Sequence, residues 1–204
     1  MLSDTSGLDL IFILVTIVLS LSLHEAMHGY AAHWLGDDTA KREGRLTLNP
    51  LAHIDPFMTV LLPIITLIIF RAPFLAAKPV PFNPDRVKYD EFGGAIIAAA
   101  GPLTNLFLAL VGSLLLHVVT ADSVAAEFLS IFRNLNAVIF VFNLLPIPPL
   151  DGSRVLYAFA PEPLQDFMRS IEPYGFVFLM ILIFALNIGG FISQLASDVI
   201  NFLP

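Results

Sequence analysis

The stretch LSLHEAMHGYAAHWLG, residues 21–36, closes an apolar run that begins at Leu10 and reads LIFILVTIVLSLSL up to the first histidine. It sets His24, Glu25 and His28 where the surrounding composition is that of a helix in lipid. Ionisable groups within a membrane segment are costly unless they are paired or have a function. These three residues therefore bear on the fold class and the chemistry together.

The rest of the chain agrees with a membrane setting. Of its 204 residues 57% are hydrophobic and 13% charged, about half the charged share of an ordinary soluble domain. The mean hydropathy is +0.82. There is no cysteine, so disulfides and thiolate ligands are excluded and any metal must be held by His, Asp or Glu. The net charge of −7 gives no basic face, and no nucleic-acid partner is expected. The N-terminal residues MLSDTSGLDL have no basic n-region, and no small-residue cleavage site follows the first apolar run, which is read as retained.

Five apolar segments stand out, at about 10–35, 57–70, 92–119, 131–150 and 174–188. The second is short and carries Pro63; runs of ~10–14 residues are more often re-entrant or interfacial than spanning. Between it and the third lies AKPVPFNPDRVKYDEFGG, residues 77–94. Pro79, Pro81 and Pro84 there favour extended backbone over a regular helix. After Gly190, FISQLASDVINFLP has the apolar spacing of a short interfacial helix. The expected fold is an all-α polytopic membrane protein. It has about four transmembrane helices, a re-entrant or interfacial hairpin at 57–70 and an extended loop at 77–91. The chain is read as one integral membrane domain, 1–204, with a catalytic core at about 8–160 and a C-terminal helix and tail at 171–204.

On a helix, His24 and His28 share a face about 6 Å apart along the axis. That spacing lets two imidazoles ligate one Zn²⁺, with Glu25 between them as general base toward the water the metal activates. The pattern is H-E-x-x-H, the zinc metalloprotease signature. The competing reading is interhelical hydrogen bonding of the two histidines with Glu25 as their partner.

A catalytic zinc keeps three protein ligands and one open position. The place where a metzincin carries its third histidine is Trp34 here. His33 is off the shared face, and Glu43, Asp37 and Asp38 lie beside Lys41, Arg42 and Arg45 in what reads as a solvated charged loop. Asp151 differs. It follows NLLPIPPL, whose prolines open the helix, and irregular backbone at membrane depth must line protein or a cavity. It can serve as third ligand or as the N-cap of the helix GSRVLYAFA; with a histidine pair in need of a ligand, the metal role leads.

Taken together, the motifs resemble those of the site-2 proteases, intramembrane zinc metallopeptidases. The matches are HEAMH in the first segment, AAAGPLTNL with Gly101, Pro102 and Asn105, and NLLPIPPLDG with Asn143 and Asp151. GRLTLNPLAHIDP and AKPVPFNP are similar to the compact bacterial branch, which lacks PDZ and CBS domains. The resemblance implies one Zn²⁺ per chain held by His24, His28 and Asp151, and Glu25 as base. It also implies Asn105 and Asn143 as polar groups that position the substrate or the developing oxyanion, or else bond helices together. His53 is read as a loop histidine.

The metal makes a topological demand. The His pair and Asp151 both lie at C-terminal ends of their segments, so those ends share one side of the membrane. Segment three must start there too, so the chain crosses an even number of times between residues 36 and 91. This arrangement puts Lys41, Arg42, Arg45, Arg71, Lys78, Arg86, Lys88, Arg154 and Arg169 on one side and Arg133 on the other. By the positive-inside rule the richer side is cytoplasmic. The expectation is an integral protein of a bacterial inner membrane whose active site opens to the cytoplasm. It hydrolyses peptide bonds in or near transmembrane segments of membrane proteins, with the KPVPFNP loop as a clamp on the unwound substrate strand. The alternative is a membrane metal transporter or metal-binding protein using the same His and Asp groups.

Overall fold

The computed structural model describes residues 7–53, 55–70, 77–186 and 188–204, and these are helical with extended connections. Among the described residues four stretches are long and apolar enough to cross a membrane. The first is α1, Gly7–Trp34; its 28 residues span about 42 Å at 1.5 Å per residue, more than a ~30 Å hydrocarbon core requires. A short helix α2, Thr39–Arg42, follows in the polar connection.

A single 3₁₀ turn at Pro50–His53 and a π-helical turn at Pro56–Leu61 lead into α3, Leu62–Phe70. The described residues 56–70 make one helical segment, shorter than the ~20 residues a spanning helix needs. The Lys78 N–H donates to the His53 carbonyl at 3.0 Å, so the chain that leaves at His53 returns to it. Departure and return on one side are what the even number of crossings requires. Arg71, one of the basic residues counted above, lies outside the described residues.

The second span, α4, is Asp90–Leu116; Asp90 and Glu91 in its first turn suit the positive end of the helix dipole. The third, α5, is Val124–Asn143, capped by Ser123, whose hydroxyl accepts from the Ala126 N–H at 3.1 Å. It starts a turn and more before the apolar segment does, because its first turns carry Glu127 and small residues that hydropathy does not register. At 144–150 the prolines unwind the chain, and α6, Asp151–Phe159, begins. The fourth stretch joins α7, Glu162–Ile171, through a 3₁₀ turn at 172–174 to α8, Gly175–Phe184.

Last comes α9, Gly189–Phe202. Its Ile192 and Ala196 pack against Ala109 of α4 and Ala137 and Val141 of α5. The tail read as interfacial thus lies against the α4–α5 pair. Helices α1, α4 and α5 pack on one another, and α6 packs on α4. That seam is where the polar residues gather.

Candidate active site

Helix α1 turns His24 and His28 inward, four residues apart, and both are buried. Their Nε2 atoms lie 3.0 Å from each other. Asp151 Oδ2 is 3.1 Å from His24 Nε2 and 3.4 Å from His28 Nε2. Asp151 is the first residue of α6, and the cap position is Leu150, which has no side-chain bond to the helix. The aspartate thus does not act as a cap; its carboxylate is turned to the two imidazoles. Gly152 allows this approach, since a Cβ there would stand 2.2 Å from the Leu144 carbonyl oxygen.

The outer ring nitrogens are also engaged. His28 Nδ1 lies 2.7 Å from the Ile97 carbonyl oxygen of α4, which can only accept, so Nδ1 carries a proton and the neutral ring presents its lone pair at Nε2. His24 Nδ1 lies 2.6 Å from Asn105 Oδ1. Gly101 forms the floor: a Cβ there would meet His28 Nε2 at 2.5 Å and His24 Nε2 at 2.6 Å.

Glu25 is half-buried, and its Oε2 accepts from the Val80 N–H at 2.9 Å. Val80 belongs to the extended segment predicted from the prolines, and that segment is fixed from several directions. The Arg45 guanidinium donates to the carbonyls of Ala52, Lys78 and Pro79. Asp37 Oδ2 accepts from the Asn83 N–H at 2.6 Å, and its Oδ1 accepts from the Thr39 N–H and hydroxyl. Burial alone would push the Asp37 carboxyl up, but these bonds and the nearby Arg86 charge hold it below the usual carboxylate range.

The solvated-loop reading of these residues is corrected here. Asp37 is 0% and Arg45 7% exposed; each neutralises main-chain groups that the fold brings from far along the chain. His53 is buried as well, its Nε2 2.9 Å from the Thr47 carbonyl. His33 pairs with Asp38 at the exposed end of α1.

Both polar ends of Asn105 face protein: Oδ1 to His24, and Nδ2 to Asn136 Oδ1 at 2.9 Å. Asn143 donates to the Ile139 carbonyl of its own helix at 2.9 Å. Asn136, Arg45 and the Val80 N–H were not foreseen. A polar residue within an apolar segment was a signal for Asn136; a main-chain donor such as Val80 leaves none.

Residues 117–186 match the model of peptidase family M50. The chain is 40% identical over 190 residues to "Putative zinc metalloprotease YwhC" of Bacillus subtilis, covering 89% of this chain and 83% of that protein. It is 32% identical over 183 residues to "Putative zinc metalloprotease Rip2" of Mycolicibacterium smegmatis, covering 85% and 67%. The Rip2 of Mycobacterium tuberculosis (strain H37Rv) is 29% identical over 182 residues, covering 85% and 66%. No solved structure matches. The chain belongs to peptidase family M50, the site-2 proteases. It is an integral membrane protein and a zinc metalloprotease, which sets aside the transporter alternative.

The three converging side chains fit the metal of that family. With Zn–N near 2.0–2.1 Å, the edge of a tetrahedron of donors is about 3.3 Å. The observed separations run from 3.0 to 3.4 Å. Three donor atoms within 4.8 Å of one another are a group that could hold one metal ion.

Proposed function

We propose that this chain is an endopeptidase that cuts peptide bonds within or beside the transmembrane segments of other membrane proteins, with His24, His28 and Asp151 holding one zinc and Glu25 acting as base. The observation that carries the reading is the convergence of three donor atoms inside a bundle of spanning helices, next to a carboxylate that is not one of them. We read the chain as one membrane domain, with the catalytic core at about 8–160 and the helix and tail at 171–204 around it. No nucleic acid is involved.

When bound, zinc acidifies a water molecule and polarises the scissile carbonyl. The chain's own residues supply the rest. Glu25 takes the water proton as the oxygen adds to the carbonyl carbon, and delivers it to the amine as the C–N bond breaks. The Val80 N–H holds one carboxylate oxygen, leaving the other for the proton. Asn105 is committed to His24, so Asn143 is the asparagine assigned to the substrate or the developing oxyanion.

Water and substrate reach the site from the side that carries nine of the ten basic residues, which we take as cytoplasmic. A cavity of about 540 Å³ opens there, walled by Phe82, Asp85, Glu91, Ser153 and Arg154, and Ser153 is two residues from Asp151. The substrate helix must unwind before attack, because its peptide groups are hydrogen-bonded to one another. The extended segment is the clamp. Between Lys78 and Asn83 the N–H groups of 78, 80 and 83 are taken by His53, Glu25 and Asp37, and Pro79 and Pro81 have none. With the Lys78 and Pro79 carbonyls held by Arg45, what the clamp has left for the unwound strand is chiefly the carbonyl acceptors from Val80 onward.

The test uses purified chain loaded with zinc in liposomes, a single-span substrate and mass spectrometry of the products. Cuts inside or within a few residues of the span, lost on deleting residues 79–84 while bound zinc stays, are expected. Cuts confined to distant soluble regions would contradict the intramembrane reading, and cleavage that survives the deletion would remove the clamp.

A further inference from the structure

Behind His24 runs a line of hydrogen bonds that ends on main chain. The Phe132 carbonyl of α5 accepts from Asn136 Nδ2 at 2.8 Å. Asn136 Oδ1 accepts from Asn105 Nδ2 at 2.9 Å, and Asn105 Oδ1 stands 2.6 Å from His24 Nδ1. Both asparagines are 0% exposed, so water cannot substitute for any link.

The direction of the whole line follows from its far end. A carbonyl oxygen only accepts, so Asn136 must turn its NH₂ group toward Phe132 and its oxygen toward Asn105. An oxygen there requires the NH₂ of Asn105, which turns the oxygen of Asn105 toward His24. An oxygen 2.6 Å from a ring nitrogen requires the proton on Nδ1. In the neutral imidazole His24 Nε2 is then left without a proton, and Nε2 is the nitrogen that faces His28 and Asp151. Had either amide the opposite orientation, two oxygens or two NH₂ groups would meet in the buried seam.

We propose that Asn136 is a positioning residue: through Asn105 it fixes the tautomer and ring plane in which His24 presents a bare Nε2 to the zinc. The proposal rests on the reading of His24 as a zinc ligand. Partners that lock a ligating imidazole are a general device of metal sites, and here the lock is two side chains long and anchored on the backbone of another helix. The ordinary alternative is that Asn105 and Asn136 only bond α4 to α5. The two differ in what a loss of Asn136 changes: helix packing alone, or the state of the His24 ring.

Two readouts on the full chain in detergent separate them. One is the zinc dissociation constant, measured by competition with a chelating dye. The other is the protonated nitrogen of His24, read by long-range ¹H–¹⁵N correlation on metal-free protein. In Asn136→Leu we expect zinc to bind about 10-fold more weakly, with the proton now shared between Nδ1 and Nε2. Asn136→Asp, whose buried neutral acid donates to Phe132 and accepts from Asn105, should stay within about threefold of wild type. In an Asn105→Leu background, Asn136→Leu should add nothing, since it acts through Asn105. If Asn136→Leu does not fold, Asn136→Ser, too short to reach Asn105, is read in the same two ways. Unchanged zinc affinity with Nδ1 still protonated would overturn the proposal, even with a lowered melting temperature. Zinc affinity unchanged in His24→Ala would instead sink the ligand reading, whatever the tautomer shows.

Discussion

Helices α4 and α8 are both apolar enough to sit in a membrane, yet they bury different things. The buried face of α4 carries Gly101, Pro102, Asn105, Gly112 and Ser113, a row of small and polar residues. Buried positions on α8 are Gly175 and Leu179, while Val177, Phe178 and Ile181 stay exposed. In water this would be an inverted arrangement; in lipid, exposed apolar residues meet a matching solvent and cost nothing. Small residues let α1, α4 and α5 approach closely, and the polar groups that approach encloses include His24, His28 and Asn105, to which the proposed chemistry gives roles. The seam is therefore specific and the periphery permissive.

The comparison breaks most visibly at Gly101. A Cβ there falls about 2.5 Å from both imidazoles, closer than atoms can stand, so Gly101→Val must push at least one ring aside. A misplacement of about 1 Å in a catalytic group costs roughly 10²-fold. We expect cleavage reduced by at least that much and zinc affinity with it, in a chain that still spans the membrane. Wild-type zinc binding in Gly101→Val would mean the seam is far looser than drawn.

A step smaller is Asp37, which lies outside the spans but ties the extended segment to α1. Asp37→Ala leaves the half-buried N–H groups of Thr39 and Asn83 without their carboxylate, and should cost about 1–2 kcal/mol of stability in detergent. Its folded pKa lies below the unfolded value of about 3.9. The contribution is thus fully present above pH ~4 and is lost as pH falls through the lower folded value. Wild type and variant should converge in melting temperature as the pH drops below about 4; a constant difference across that window would assign the loss to packing and not to charge.

The smallest effect belongs to the periphery. Val177 is 60% exposed, and Val177→Ala should shift stability by less than about 0.5 kcal/mol and leave cleavage unchanged. A large loss of activity there would show that α8 meets a partner or substrate.

The same contrast governs what could be read from the sequence. Spanning helices announce themselves by uninterrupted apolar runs, and His24, Glu25, His28 and Asp151 stood out because charge inside such runs is rare. The start of α5 at Val124 and the continuation of α8 back through α7 were hidden, since their polar turns lie outside the apolar window. Asp37 and Arg45 looked like solvated loop charges because their partners, the main chain at 78–83, carry no sequence pattern. Asn136 resembled any other polar residue in a helix until its place behind Asn105 was known.

The proposed chemistry turns on Glu25 as a base that does not hold the metal. The direct measurement compares wild type with Glu25→Gln, recording bound zinc per chain and cleavage of a single-span substrate in the same preparations. The structure predicts one zinc in both and cleavage lower by about 10²–10⁴-fold in the variant, the range expected for removing a general base. Loss of zinc along with activity would make Glu25 a ligand, and cleavage near the wild-type rate would remove it from the chemistry.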